Sequence, residues 1–142
     1  MSGEPGSAMH IHCSLVDVET GRPIFSDADG NPTKEFFSFI AGHQRYLPNV
    51  MCIMAPYVNY YRRLARYTAS PINVHWGSAR DLPYGLPRGL LDAVALFEDC
   101  EPLVDIFGKS FETTFRAIKQ AEFETFMRVI SPWEREYLLL NV

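Results

Sequence analysis

A chain of 142 residues, 47% of them hydrophobic, can bury one sizeable core, so a single domain is the expectation. Its formal net charge of −4 argues against a nucleic-acid-binding surface. No run approaches the roughly 18 apolar residues of a membrane span. Cys13, Cys52 and Cys100 lie too far apart for a C-x-x-C redox or zinc pair. Residues 1–7 carry no apolar stretch of a secretory leader. A reduced, cytoplasmic setting with no membrane and no nucleic-acid partner is therefore expected.

Residues 9–16 alternate, with Met9, Ile11, Cys13 and Leu15 on one side and His10, His12 and Ser14 on the other, which is the period of a strand. Thr20-Gly21 signals a turn, Ile24-Phe25 the return strand of a hairpin, and residues 27–31 a second turn. The period then becomes helical, through Phe36, Phe39, Ile40, His43 and Leu47, and Pro48 is expected to end the helix. An apolar stretch at 50–55 and a basic helical turn at 60–64 follow, and residues 72–76 read as a buried strand.

A Pro- and Gly-rich linker at 81–89 leads into a helical tail. Leu90, Leu91, Val94 and Phe97 mark one helix, and residues 103–107, closed by Gly108, a short second one. A long helix starts near Ser110 with Phe111, Phe115, Ile118 and Phe126 as its apolar stripe, a core or subunit contact. Ser131-Pro132 stops it and opens a last helix through 133–137. The expected class is α+β: antiparallel strands packed against helices, with a helical C-terminal tail.

Candidate chemistry concentrates at two places. His10 and His12 share one strand face about 7 Å apart, a spacing suited to a metal and a polyphosphate, and Ser14 continues that face. A polar sheet surface is the plainer alternative, because no carboxylate on a convergent element completes a divalent-cation site. Arg62, Arg63 and Arg66 lie within two helical turns, suited either to capturing a carboxylate or phosphate or to a solvated basic face. Residues 27–31 fail the calcium-loop pattern, since Gly30 falls early and no Glu closes the loop. His43 and His75 read as structural histidines.

Read together and in order, these segments resemble the glutamine synthetase superfamily. Residues 6–14, Gly-Ser-Ala-Met-His-Ile-His-Cys-Ser, resemble its N-G-S-G-M-H-x-H-x-S signature. Asn59-Tyr60-Tyr61-Arg62-Arg63-Leu64 with Ser70-Pro71 resembles its N-S-Y-K/R-R-L…A-P segment. Leu86-Pro87-Arg88 and the stretch from Pro132 to Tyr137 resemble its L-P-x-x-L helix and P-W-E tail. The resemblance implies a C-terminal catalytic domain that phosphorylates glutamate with ATP and then lets an amine displace the phosphate. It implies His10 as a ligand of Mg2+ or Mn2+, His12 and Ser14 at the nucleotide, Gly6 at the bound glutamate, and Arg63 on the substrate carboxylate. It also implies a homo-oligomer.

Departures from the family pattern narrow this expectation. Pro5 and Ala8 replace a motif Asn and Gly, and Ala69 stands where ammonia-using members carry a glutamate. That last change resembles the γ-glutamylpolyamine branch, so an amine or polyamine is expected as acceptor alongside ammonia. Trp76-Gly77 runs directly into Ser78-Ala79-Arg80-Asp81, skipping the family block that holds N-R-T and E-N-R. Residues 1–142 are thus expected to form a partial catalytic domain with an apparent deletion near 77–78, weakly active or inactive by itself. The rival expectation is a non-catalytic protein that docks on a full-length homologous ligase; an unrelated H-x-H metal-binding module is a third.

Overall fold

The computed structural model describes residues 11–62, 64 and 85–138. Among them, helices α1 (Lys34–Met54), α2 (Val58–Tyr61), α3 (Leu90–Glu98), α4 (Glu101–Phe107), α5 (Lys109–Met127) and α6 (Pro132–Tyr137) follow one another in chain order. α1 packs on α3, α3 on α5, and α4 caps the α3–α5 pair.

The expected α+β class is not what forms: the described residues are mostly helical and hold no strand. Between described residues, isolated antiparallel bridges pair Val16 with Pro23 and Ser26 with Pro32. Each has a proline on one side, which has no N–H to extend a ladder. Ile11 and Leu15, on the apolar side of the alternating segment, are 61% and 46% exposed, so little burial holds these residues as a strand. Both turns do form. Asp17 Oδ1 accepts from Thr20 N at 2.7 Å and Gly21 takes φ 67°. Asp27 Oδ1 accepts from Asn31 N at 2.8 Å and Gly30 takes φ 83°. The Thr20 hydroxyl and then its N–H hold the Asp17 carboxyl below its ordinary range, and the Asn31 N–H does the same for Asp27, by stabilising the charged form. The strand expected at 72–76 lies outside the described residues.

Thr33 joins the turn region to α1. Its hydroxyl donates to Ile24 O at 2.6 Å and accepts from Phe36 N at 3.3 Å, the N-cap interaction that satisfies one otherwise unpaired amide. Phe25 rests on Phe39 with ring centroids 4.9 Å apart. Contrary to expectation, α1 does not stop at Pro48 but continues to Met54. The lost backbone hydrogen bond is outweighed by burial, because Pro48, Met51 and Cys52 all face the core on that segment. Asn49 Nδ2 adds a 2.8 Å bond to Leu96 O of α3.

The core gathers Met51, Cys52 and Tyr61 with Leu86, Leu90, Ala93, Val94 and Phe97. On α3 the buried positions are Leu90, Ala93, Val94 and Phe97, the i, i+3, i+4, i+7 pattern, while Leu91 faces outward. α5 departs from its expected stripe: its buried residues are Glu112 and Lys119, whereas Phe111 and Ile118 are 40% and 50% exposed. Phe115 still packs against Phe97, at 6.3 Å between centroids.

Gly108 ends α4 and begins α5 at φ 88°, ψ 141°. Few L-residues tolerate that backbone region. A Cβ there would meet nothing within 4 Å, so the penalty of substitution is conformational alone. Gly108→Ala is expected to cost about 1–3 kcal/mol, read as a lowered urea midpoint with an unchanged m-value; an unchanged midpoint would contradict the tight α4–α5 corner.

Candidate functional site

Of the residues expected to carry chemistry, His12 and Ser14 are described, both exposed on the irregular segment that precedes the first turn. Gly6, His10 and Arg63 lie outside the described residues, as do Arg66 and His75. His12 and Ser14 therefore offer an imidazole and a hydroxyl to solvent two residues apart. Among the described residues no group of three His, Cys, Asp or Glu side chains could hold a metal ion.

Arg62, on the turn that follows α2, holds its guanidinium 5.1 Å from the centre of the Phe126 ring of α5, a cation–π contact. α5 also carries two buried charged residues, Glu112 and Lys119, that the apolar pattern did not point to. Lys119, only 7% exposed, sends Nζ to Glu122 Oε2 at 2.8 Å and over the rings of Tyr57 at 5.3 Å and Phe115 at 5.5 Å. Glu112, with 0% exposure, accepts from Lys109 Nζ at 2.7 Å and from Thr113 Oγ1 at 3.1 Å, and Arg116 Nε stands 3.3 Å away. The Lys109 ammonium is the main cause of a Glu112 carboxyl held below its usual range. The sequence signal for the pair was their spacing of seven residues, which puts both on one helix face.

Cys52 and Tyr61 are two further buried titratable groups. Burial pushes the Cys52 thiol up to about 11, and it also raises the Tyr61 hydroxyl, whose oxygen has no hydrogen-bond partner among the described residues. A thiol at that value is thiolate to only about one part in a thousand at pH 8. Native protein mixed with an aromatic disulfide reagent is expected to release one equivalent promptly, from exposed Cys13. The buried Cys52 and Cys100 should react only after unfolding in guanidinium. Three equivalents released from the native protein would contradict this burial. Cys52 is thus a packing residue rather than a nucleophile. His43 is structural too: its Nδ1 lies 3.1 Å from Phe39 O and its ring packs on Phe39.

The described geometry leaves His12 and Ser14 as an open polar segment without its partners, and sequence comparison supplies their context. The family described as glutamine synthetase, catalytic domain, matches residues 1–81 and 78–138. The chain belongs to the glutamine synthetase catalytic-domain family. The match comes as two stretches that overlap at 78–81 and together take in Gly6, His10, His12, Ser14, Arg63 and α1 to α6. Among curated relatives, the chain is 36% identical over 85 residues to γ-glutamylputrescine synthetase of Escherichia coli, covering 59% of this chain and 18% of that protein. It is 35% identical over 75 residues to type-1 glutamine synthetase 2 of Dictyostelium discoideum, covering 51% and 14%. Against the glutamine synthetase of Halobacterium salinarum the figures are 34% over 73 residues, 50% and 16%. The matched region spans less than a fifth of the length of these relatives.

Proposed function

We propose that this chain carries part of the site of an ATP-dependent ligase that joins glutamate to an amine. The observation that supports this most is the family match across every motif that would contribute to the site. In this reading His12 and Ser14 hydrogen-bond the nucleotide phosphates, Gly6 lies against glutamate, and Arg63 pairs with the substrate carboxylate, where a guanidinium binds two oxygens at once. His10 is the one metal ligand, for Mg2+ or Mn2+. Among the described residues no group of three His, Cys, Asp or Glu side chains could hold a metal ion, and no step is routed through a metal. When bound, ATP supplies the phosphoryl group that makes the glutamate γ-carboxylate reactive toward an amine.

The acceptor is an amine or polyamine rather than ammonia alone. Ala69 has no carboxylate to take an ammonium proton, and a putrescine-linking enzyme stands among the relatives. Residues 1–142 form a partial catalytic domain joined near 77–78, a reading supported by the two-stretch match. One metal ligand and an interrupted phosphate site cannot hold the charges of phosphoryl transfer, so the chain alone turns over weakly or not at all. No helix among the described residues is long and apolar enough to cross a membrane. In this reading the protein works in the cytoplasm and assembles as family members do. A second reading, a non-catalytic chain that docks on a full-length ligase, is favoured by the apolar side chains that α5 and α6 leave exposed.

Calorimetric titration of Mg·ATP separates the nucleotide role from a passive polar segment. Native chain is expected to bind with a dissociation constant in the millimolar range, and His12→Ala to weaken it by about tenfold, the worth of one charge-assisted hydrogen bond. His12 is exposed, so the substitution leaves the fold in place. Equal affinities would remove His12 from the nucleotide site.

A further inference from the structure

We propose that α5 braces the chain beside Arg63 by clamping both ends of α2, so that Arg62 serves the fold and Arg63 serves the substrate carboxylate. This rests on the carboxylate role proposed for Arg63 above. It adds the residues that position that arginine: Phe126 with Arg62 at one end of α2, and Lys119 with Tyr57 at the other.

By spacing alone Arg62 and Arg63 are interchangeable as anion ligands. The fold commits the first of them. Arg62 seats its guanidinium 5.1 Å from the centre of the Phe126 ring, in the last turn of α5. A planar, weakly hydrated guanidinium suits the negative face of an aromatic ring better than a compact ammonium does. At the other end of α2 the same kind of contact recurs with the partners exchanged. Lys119 of α5 holds Nζ 5.3 Å from the centre of the Tyr57 ring, and Tyr57 is the N-cap residue of α2. Lys119 and Phe126 are seven residues apart, about two helical turns, and so lie on one face of α5. α2 itself is only four residues long, far too short to be stable in isolation. Its placement therefore depends on what grips its ends.

The residues on either side of position 63 are held as well. Tyr61 is 6% exposed and belongs to the core, and Leu64 packs against that core while its N–H donates to Tyr61 O at 3.3 Å. Arg63 itself lies outside the described residues, but residues 61, 62 and 64 are each tied to the core or to α5. Ordering a segment and a long side chain is a principal cost of capturing a small ligand. Neighbours that are fixed in advance reduce that cost for an arginine at 63. The Phe126 ring also occupies the Arg62 guanidinium, which limits its competition for the same carboxylate.

The test is titration of the full chain with glutamate, followed by amide chemical shifts, beside a parallel titration with Mg·ATP. Phe126→Leu keeps apolar bulk but removes the ring face. It is expected to weaken glutamate binding by about twofold to fivefold, the worth of one exposed cation–π contact, and to leave Mg·ATP binding unchanged. Phe126→Tyr is expected to restore the native affinity. Arg62→Met should lose as much as Phe126→Leu, and the double variant no more than either, because both remove one contact. Arg62 is exposed, so Arg62→Met carries the test even where Phe126→Leu disturbs the fold. Equal glutamate affinity in the native chain and Arg62→Met, with binding lost in Arg63→Ala, would overturn the brace and leave the role of Arg63 standing. Loss of glutamate and Mg·ATP binding in equal measure would reduce the contact to a structural one and overturn the brace too. A native chain whose shifts ignore glutamate would remove the role of Arg63, and the brace with it.

Discussion

Phe97→Ala is expected to remove about 3–5 kcal/mol of stability, the cost of emptying a fully buried aromatic site. Phe97 is 1% exposed, and its ring meets Phe107 at 5.7 Å, Phe111 at 6.4 Å and Phe115 at 6.3 Å, all in edge-on arrangements. One side chain therefore ties α3 to both α4 and α5. Each edge contact is worth about 0.5–1.5 kcal/mol beyond the area it buries. Removal also leaves a cavity that the stacked Phe107, Phe111 and Phe115 cannot fill without giving up their own packing. A domain of this size has about 5–15 kcal/mol in total, so the variant should lose a large share of its stability. Urea denaturation followed by circular dichroism reads the change. A loss below about 1 kcal/mol would mean that α3 is not the element on which the tail is assembled.

The helical half of the molecule was legible because its signals are local. The i, i+3, i+4, i+7 spacing of α3, the glycine after α4 and Ser131-Pro132 before α6 each specify their element within a few residues. Pro48 was misread because a local rule was applied where a tertiary one decides: the residues after it face the core, and α1 continues. The alternating segment at 9–16 was read as a strand from its period. A strand also needs a paired neighbour, and Pro23 and Pro32 cut both pairings to single bridges. On α5 the phenylalanines drew attention while the buried positions went to Glu112 and Lys119. A hydrophobic stripe cannot anticipate those, because their burial depends on Lys109, Glu122 and nearby rings arriving at the same place.

The candidate site was legible in a different sense. Motif order was enough to place the chain in its family, and two continuous matches cover almost all of it. Assembly of the site was not readable in that way. His12 and Ser14 are near neighbours in the chain, but a phosphoryl-transfer site draws its remaining charges from segments far away in sequence. Short motifs carry chemistry; the convergence of motifs is a property of the fold.

The second large effect concerns turnover. Phosphoryl transfer to a carboxylate depends on several cations fixed around the transferring group, and removal of one such stabilising contact costs about a hundredfold to a thousandfold in rate. In the proposed reading of a partial domain joined near 77–78, the site would retain one metal ligand and lack the family arginines, and the losses would compound well beyond a single contact. The direct measurement is phosphate release by the isolated chain with ATP, Mg2+ and glutamate, supplied in turn with ammonia and putrescine. A rate that stays at the blank without glutamate and amine, in every combination, is the predicted result. Glutamate- and amine-dependent release at rates of about 1 per second or more, the ordinary range of an intact enzyme, would contradict the partial-site account.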